Sequence, residues 1–210
     1  MKTKQRLEEE RRMIELERQQ REKRNMKYQT NKEQVWMRPT EQTEGLLDLI
    51  KELGDNSNKR MVEIGSFVGE STVLFAQSFK EVIAIDPFLA DYDPADPTSF
   101  LFEFNNVYDT YMDRVSPYKN IKTIKLTSDD AKDVLKDELF DFIYIDGLHT
   151  YDGVKTDIYN YLPLIKKGGV IGGHDYTDEH PHLVGVKVAV NEMLGTPDKV
   201  FKDNSWIKFL

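Results

Sequence analysis

Between residues 61 and 171 the chain repeats one pattern, a short unbroken apolar run followed by a longer stretch in which apolar side chains return every three or four positions. The runs stand at 61–64, 82–85, 121–126, 140–145 and 169–171, each closed by turn residues or a helical stretch. Unbroken β-branched and aromatic runs separated by helical spacing mark parallel strands buried on both faces, because a helix crosses back over the sheet between each pair. Nearer the end, 199–201 and 206–210 flank Asp203-Asn204 and predict an antiparallel hairpin. The expected fold is α/β, with a seven-stranded, mostly parallel sheet finished by that hairpin.

Ahead of the first strand, Leu46, Leu47, Ile50 and Leu53 share one helical face, Thr40 and Thr43 are candidate caps, and Gly54 with the polar run after it ends the helix. Before Pro39 the pattern is different. Residues 2–24 are almost all Lys, Arg, Glu or Gln, with pairs four apart such as Glu8 with Arg12 and Glu17 with Arg21. These favour helix, but apolar positions are too few to bury it firmly. The chain therefore divides into a charged helical extension, 1–38, and a folded domain, 39–210. The extension reads as a solvated helix, with homo-oligomer or partner contact as the other use for it.

Charge and composition narrow the partners. A net charge of −8 argues against a nonspecific hold on nucleic acid, which needs a basic surface. Cysteine is absent, which removes disulfides and thiolate metal sites. No stretch approaches the roughly 18 apolar residues of a membrane span, so the expectation is a cytoplasmic protein without a membrane partner.

The strongest local signal is Val62-Glu63-Ile64-Gly65-Ser66-Phe67-Val68-Gly69-Glu70-Ser71, a strand entering a glycine-bearing turn and then a helix. Such glycines let the backbone turn sharply and approach a ligand, and the helix start offers free N–H groups. About twenty residues on, Asp86 closes the second strand, where a carboxylate in this kind of sheet accepts bonds from ribose hydroxyls. A dinucleotide fits poorly, because Phe67 stands where the G-x-G-x-x-G fingerprint wants its second glycine.

With Glu63 ahead of the Gly65-x-x-x-Gly69 turn, the chain resembles the class I S-adenosylmethionine-dependent methyltransferases, which have a Rossmann-like fold. That resemblance implies that Glu63, Gly65, Ser66, Gly69 and Ser71 surround the methionine part of S-adenosylmethionine and Asp86 its ribose. It also puts Ser128 and Asp129, after the third strand, beside the adenine; a helix N-cap is the plainer reading of that pair.

A second constellation is Asp146-Gly147-Leu148-His149-Thr150-Tyr151, answered by Gly173-His174-Asp175-Tyr176 after the next strand. Both follow buried parallel strands at the carboxyl edge, where open α/β sheets bind ligands. Two carboxylates and two imidazoles so gathered suggest chemistry, although one alone reads as a cap or a satisfied histidine. These motifs resemble a subgroup allied to sugar and macrolide O-methyltransferases and cephalosporin hydroxylase-like proteins. By that resemblance His149 is a general base and Asp146 a catalytic and cofactor-side residue. Asp146, His174 and Asp175 are then candidate ligands of a divalent metal. The relatives have an acidic pair where this chain has His174-Asp175, and a nitrogen ligand suits manganese better than magnesium.

The implied activity is O-methylation of a small hydroxylated acceptor, with a sugar among the candidates. A catalytically silent cofactor-binding scaffold is the alternative. The loop 87–97 is rich in Pro and Asp and reads as a lid, and Phe100, Phe102, Phe104, Tyr108 and Tyr111 read as either acceptor lining or core. The aromatic, acidic helix 151–161 carries the same ambiguity.

Overall fold

The structure, a computed structural model, describes residues 40–94, 96, 99 and 104–210, with the backbone alone for 40, 41, 104 and 105. The charged extension and the side chains of Phe100, Phe102 and Phe104 lie outside the described residues.

Helix α1 (Thr40–Glu52) leads into β1 (Arg60–Ile64), α2 (Glu70–Ala76), β2 (Glu81–Ile85), α3 (Phe104–Val115) and β3 (Ile121–Ile124). Then come α4 (Ser128–Leu135), β4 (Phe140–Ile145), α5 (Tyr151–Tyr161), β5 (Ile165–Gly173), α6 (Val184–Leu194) and the hairpin β6 (Lys199–Val200) and β7 (Trp206–Phe209). The strands order as β3-β2-β1-β4-β5-β7-β6, parallel from β3 to β5, with β7 antiparallel to both β5 and β6. The expected sheet is thus present. Among the described residues no helix is long and apolar enough to cross a membrane.

Strand periodicity divides the core. Val62, Ile64, Ile143 and Ile145 face α4, α5 and α6, where they meet Leu135, Ile158 and Val190. Met61, Phe142 and Tyr144 face the other way, against Leu46, Leu49 and Phe75 of α1 and α2. Each apolar side chain so buried contributes about 1.5–3 kcal/mol, which fixes strand register because a one-residue slip would exchange the faces.

Three details differ from expectation. In α1 it is Leu49, not Leu47, that completes the buried stripe; Leu47 is 44% exposed, because the core-facing stripe runs 46, 49, 50, 53. Strand β5 is longer than 169–171, because Lys166-Lys167-Gly168-Gly169, which reads as a turn, is taken into the strand through a register shift opposite Phe140 and Phe142. Strand β3 stops at Ile124, two residues short of expectation, and Leu126 is left partly exposed beyond it.

The chain runs outward from β1 to β3 and then returns to lay β4 on the other side of β1, so the ends of β1 and β4 form the switch point where such sheets bind ligands. They approach closely there. Asp146 donates its N–H to the Ile64 carbonyl at 2.8 Å and Gly65 donates to Ile85 at 2.9 Å. Gly65 has φ +84°, and a Cβ on it would stand 2.0 Å from the Asp146 carbonyl oxygen. Gly65→Ala is expected to lower unfolding free energy by about 3 kcal/mol, from the positive φ and the backbone clash together. A denaturant midpoint within error of the parent would refute this account of the switch point.

Candidate functional site

A cleft of about 720 Å³ opens at this edge. Its floor is Gly65 and Ser66; Asp86 and Pro87 come from β2, Ser128 and Asp129 from α4, Asp146 to His149 from β4, and His174 and Asp175 from β5. Ser71 on α2 also lines it. Of the residues expected around the cofactor, Gly65, Ser66, Ser71, Asp86, Ser128, Asp129 and Asp146 therefore share one cavity. Glu63 and Gly69 do not reach its lining. Glu63 is fully buried on the opposite sheet face, where it accepts from the hydroxyls of Ser66 and Thr72 and so ties the turn to α2. Gly69 has φ +79° and caps α2, and a Cβ there would meet the Tyr111 ring at 3.0 Å.

Asp86 holds the turn in shape. Its Oδ2 accepts from the amides of Ser66 and Phe67 at 3.0 and 2.8 Å, and its Oδ1 from Phe88 at 2.7 Å. Phe67 and Phe88 have φ of 44° and 51°, a region side-chain-bearing residues seldom enter, and the shared carboxylate holds both there. Burial pushes the Asp86 carboxyl pKa up, opposed by these three amides.

His149 is surrounded by carboxylates. Its Nε2 lies 3.1 Å from Asp175 and 3.7 Å from Asp146, and its Nδ1 lies 3.5 Å from Asp96. Burial disfavours the imidazolium, but the interactions with Asp146 and Asp96 and the charge of Asp175 outweigh it, so the His149 pKa stands well above its ordinary value. Pairing of this sign adds stability that is complete below about pH 6.5 and is lost as pH rises through the folded-state value. Asp175 itself is held at φ 61°.

Asp146, His149 and Asp175 bring one nitrogen and two carboxylate oxygens within 4.8 Å of one another, a group able to hold a metal ion. His174, expected as a ligand, is not in that trio; its Nδ1 sits 3.0 Å from Asp175 and its Nε2 turns toward Asp203 at 4.0 Å.

The plainer cap reading for Ser128 and Asp129 gives way to Thr127, whose hydroxyl accepts from the Asp130 amide. Ser128 and Asp129 are first-turn residues, and the Asp129 carboxylate is exposed and paired with Lys132 and Asn160. In the aromatic stretch, Tyr111 is fully buried against Phe88 and bonded to Thr123, while Tyr108, half-buried, packs at a tilt against Phe88 at the edge of that cluster; neither lines the cleft. In α5, Tyr161 is likewise core and donates to the Ser128 carbonyl, whereas Tyr159 is exposed. The loop after β2 does roof the cleft, through Pro87, Leu89, Tyr92 and Asp96, and Tyr92 donates to Asp96 at 2.8 Å.

Of the lining acids that sequence reasoning did not assign to the site, Asp96 and Asp157 are the buried ones. Asp96 was one aspartate among several in its loop. Asp157 carried a readable sign, because it falls in the buried stripe Val154, Asp157, Ile158, Tyr161 of α5, where an acid is out of place unless it serves something. Burial raises its pKa to about 6, against the hydrogen bond of the Ser128 hydroxyl.

The strand order and the cleft at the switch point define a fold of the class I S-adenosylmethionine-dependent methyltransferase kind. Residues 62–176, more than half of the chain, match the model of the methyltransferase-domain family, and the chain belongs to that family. A putative caffeoyl-CoA O-methyltransferase from Staphylococcus aureus superposes with a TM-score of 0.59 at 16% identity, covering 94% of this chain and 96% of that one. The O-methyltransferase NovP gives 0.59 at 16% over 78% of each chain, and a Bacillus cereus O-methyltransferase in complex with SAH gives 0.54 at 17% over 83% and 81%. At these identities the likeness is one of fold. An uncharacterized protein, y4gI, from Sinorhizobium fredii is 27% identical over 135 residues, 61% of this chain, and the chain spans only 14% of that protein's length.

A buried carboxylate costs stability. With the folded pKa near 6 against an ordinary 3.8, the cost is absent below pH 3.8 and complete above 6. Asp157→Asn should therefore raise unfolding free energy by about 3 kcal/mol at pH 8. The gain should vanish near pH 3.5, and an equal change at both pH values, measured by chemical denaturation, would contradict this.

Proposed function

We propose that this chain transfers the methyl group of S-adenosylmethionine to a hydroxyl of a small acceptor, a sugar among the candidates. The observation that carries the reading is the single cleft in which the Gly65 turn and Asp86 stand beside Asp146, His149 and Asp175. Family membership supports methyl transfer, and the SAH complex of the Bacillus cereus relative supports the cofactor. In this reading residues 39–210 form the cofactor-binding domain.

The cleft fits the cofactor's charge. Glu70, Asp152 and six other carboxylates line it, with no lysine or arginine among the described lining residues, which suits a sulfonium cation. Gly65, Ser66, Ser71, Asp86 and Asp146 would hold the cofactor, with Ser128 and Asp129 toward the base and Glu63 and Gly69 shaping the turn from behind. When bound, S-adenosylmethionine supplies an activated methyl, whose bond to sulfur breaks as the bond to the acceptor oxygen forms. The chain's part is to align that oxygen and take its proton.

His149 is the base of this reading, and Asp96, Asp146 and Asp175 orient its ring. In its imidazolium form it cannot accept a proton, so activity requires the neutral form. The same trio has a second use: Asp146, His149 and Asp175 would hold a divalent ion with mixed nitrogen and oxygen preference, which would acidify the hydroxyl in place of a histidine base, since a metal-bound ring nitrogen accepts no proton.

Calorimetry should detect S-adenosylhomocysteine and not NAD; absence of binding by both S-adenosylmethionine and its product at millimolar levels would end the assignment. His149→Ala should lower kcat by about 100-fold or more while cofactor affinity stays within about twofold. The kcat/KM profile of the parent should rise with pH through a midpoint above 6.5, because the raised pKa delays formation of the base. A flat profile, or a full-rate variant, would remove His149 from the chemistry.

A further inference from the structure

Two imidazoles line the cleft, those of His149 and His174, and the carboxylate of Asp175 lies between them. Its Oδ2 is 3.1 Å from His149 Nε2, and its Oδ1 is 3.0 Å from His174 Nδ1. An ionised carboxylate only accepts hydrogen bonds, so each ring must turn an N–H toward it for the contact to be favourable. Asp175 thus gives one oxygen to each ring.

His174 is itself held from behind. Its Nε2 faces the buried carboxylate of Asp203 at 4.0 Å. Asp203 accepts from the amide and the hydroxyl of Ser205 at 3.1 and 2.8 Å, and α1 lays Gly45 on it so closely that a Cβ there would overlap the carboxylate. The neighbouring Asn204 carbonyl accepts from the Tyr176 amide at 3.0 Å, so the hairpin turn grips the chain on both sides of Asp175. At φ 61°, Asp175 needs such outside support to stay where it is.

The two nitrogens of His149 are not equivalent. Nε2 faces two carboxylates, Asp175 at 3.1 Å and Asp146 at 3.7 Å. Nδ1 faces one, Asp96 at 3.5 Å, and the same Asp96 oxygen already accepts the Tyr92 hydroxyl at 2.8 Å. In the neutral ring the single hydrogen is therefore held on Nε2, and the lone pair stands on Nδ1. We propose that His174 is a positioning residue that holds Asp175 against His149 Nε2, so that Nδ1, on the side of the Asp96 roof, is the atom that takes the acceptor's proton. This rests on the methyl-transfer reading above, in the form that uses histidine as the base. In that step an oxygen lone pair of the acceptor forms the bond to the methyl carbon, the carbon–sulfur pair returns to sulfur, and the hydroxyl proton passes to Nδ1. The resulting imidazolium turns its two N–H groups to Asp96 and Asp175.

The chain has four histidines, so the His149 ring can be followed by NMR of nitrogen-labelled histidine, with its signals assigned by their loss in His149→Ala. With a chelator present, and above the pH at which the ring titrates, the parent should show the Nε2–H tautomer. The Nδ1–H tautomer there overturns the proposal, whatever the variants do, and leaves methyl transfer standing. His174→Leu removes the N–H, and should bring the His149 ring to a mixture of tautomers and lower kcat by about tenfold, with KM for S-adenosylmethionine within about twofold. His174→Asn, whose amide N–H can replace Nδ1–H, should restore the tautomer and most of the rate. A Leu variant with the parental tautomer and rate, or an Asn variant no better than Leu, overturns the role of His174. Failure of the parent to bind S-adenosylhomocysteine removes the methyl-transfer reading and this inference with it.

Discussion

The carboxylate of Asp86 joins three backbone amides from two separate loops, and the shape of the cleft depends on that junction. Ser66 and Phe67 leave β1, Phe88 leaves β2, and neither loop has a ladder of its own to hold it. Two of the three donors sit at positive φ, a conformation that costs about 1–3 kcal/mol in a residue other than glycine. Charge-assisted bonds to a partly buried carboxylate offset that cost. Glu63 acts from below in the same way, through Ser66 and Thr72. The turn is therefore held between two carboxylates, one under it and one beside it, and its floor is left bare at Gly65.

The strands were legible because a parallel sheet buried on both faces needs unbroken apolar runs, and the run 140–145 has the same bounds as β4. Elements whose ends depend on tertiary pairing were less so. Gly168, at φ +78°, enters β5 through a register shift between Phe140 and Phe142 of β4, which no local pattern encodes. Leu47 and Leu49 are equivalent by composition, and only the direction from which α1 meets Phe75 and Tyr144 decides between them.

The site was legible where chemistry follows strand ends and hidden where it depends on what packs beside them. Asp86, Asp146, His149 and Asp175 each follow the last residue of a strand or its turn, so the switch-point rule gathers them from spacing alone. His174, one residue before Asp175, keeps its Nδ1 3.0 Å from that carboxylate, while its Nε2 faces Asp203 of the hairpin. Asp96 reaches His149 from a loop with no period to read. Tyr111 went to the core and Tyr108 to its edge because Phe88, fixed by Asp86, leaves a face for them to cover.

These features share one electrostatic consequence. Carboxylates collected around His149 raise its pKa and so favour the protonated ring, which is no base. The same carboxylates lower the energy of a positive charge arriving in the cleft, and such a charge in turn weakens their hold on the imidazolium proton, since like charges disfavour one another at short range. Binding of a cation and release of the His149 proton are thus linked through Asp146 and Asp175, and linkage is reciprocal. In the proposed reaction, an acidic cleft without lysine or arginine among its described lining residues would receive a sulfonium and, on binding it, lower the pKa of the histidine. A basic residue among Asp96, Asp146 and Asp175 would neutralise the cluster beforehand and break that coupling.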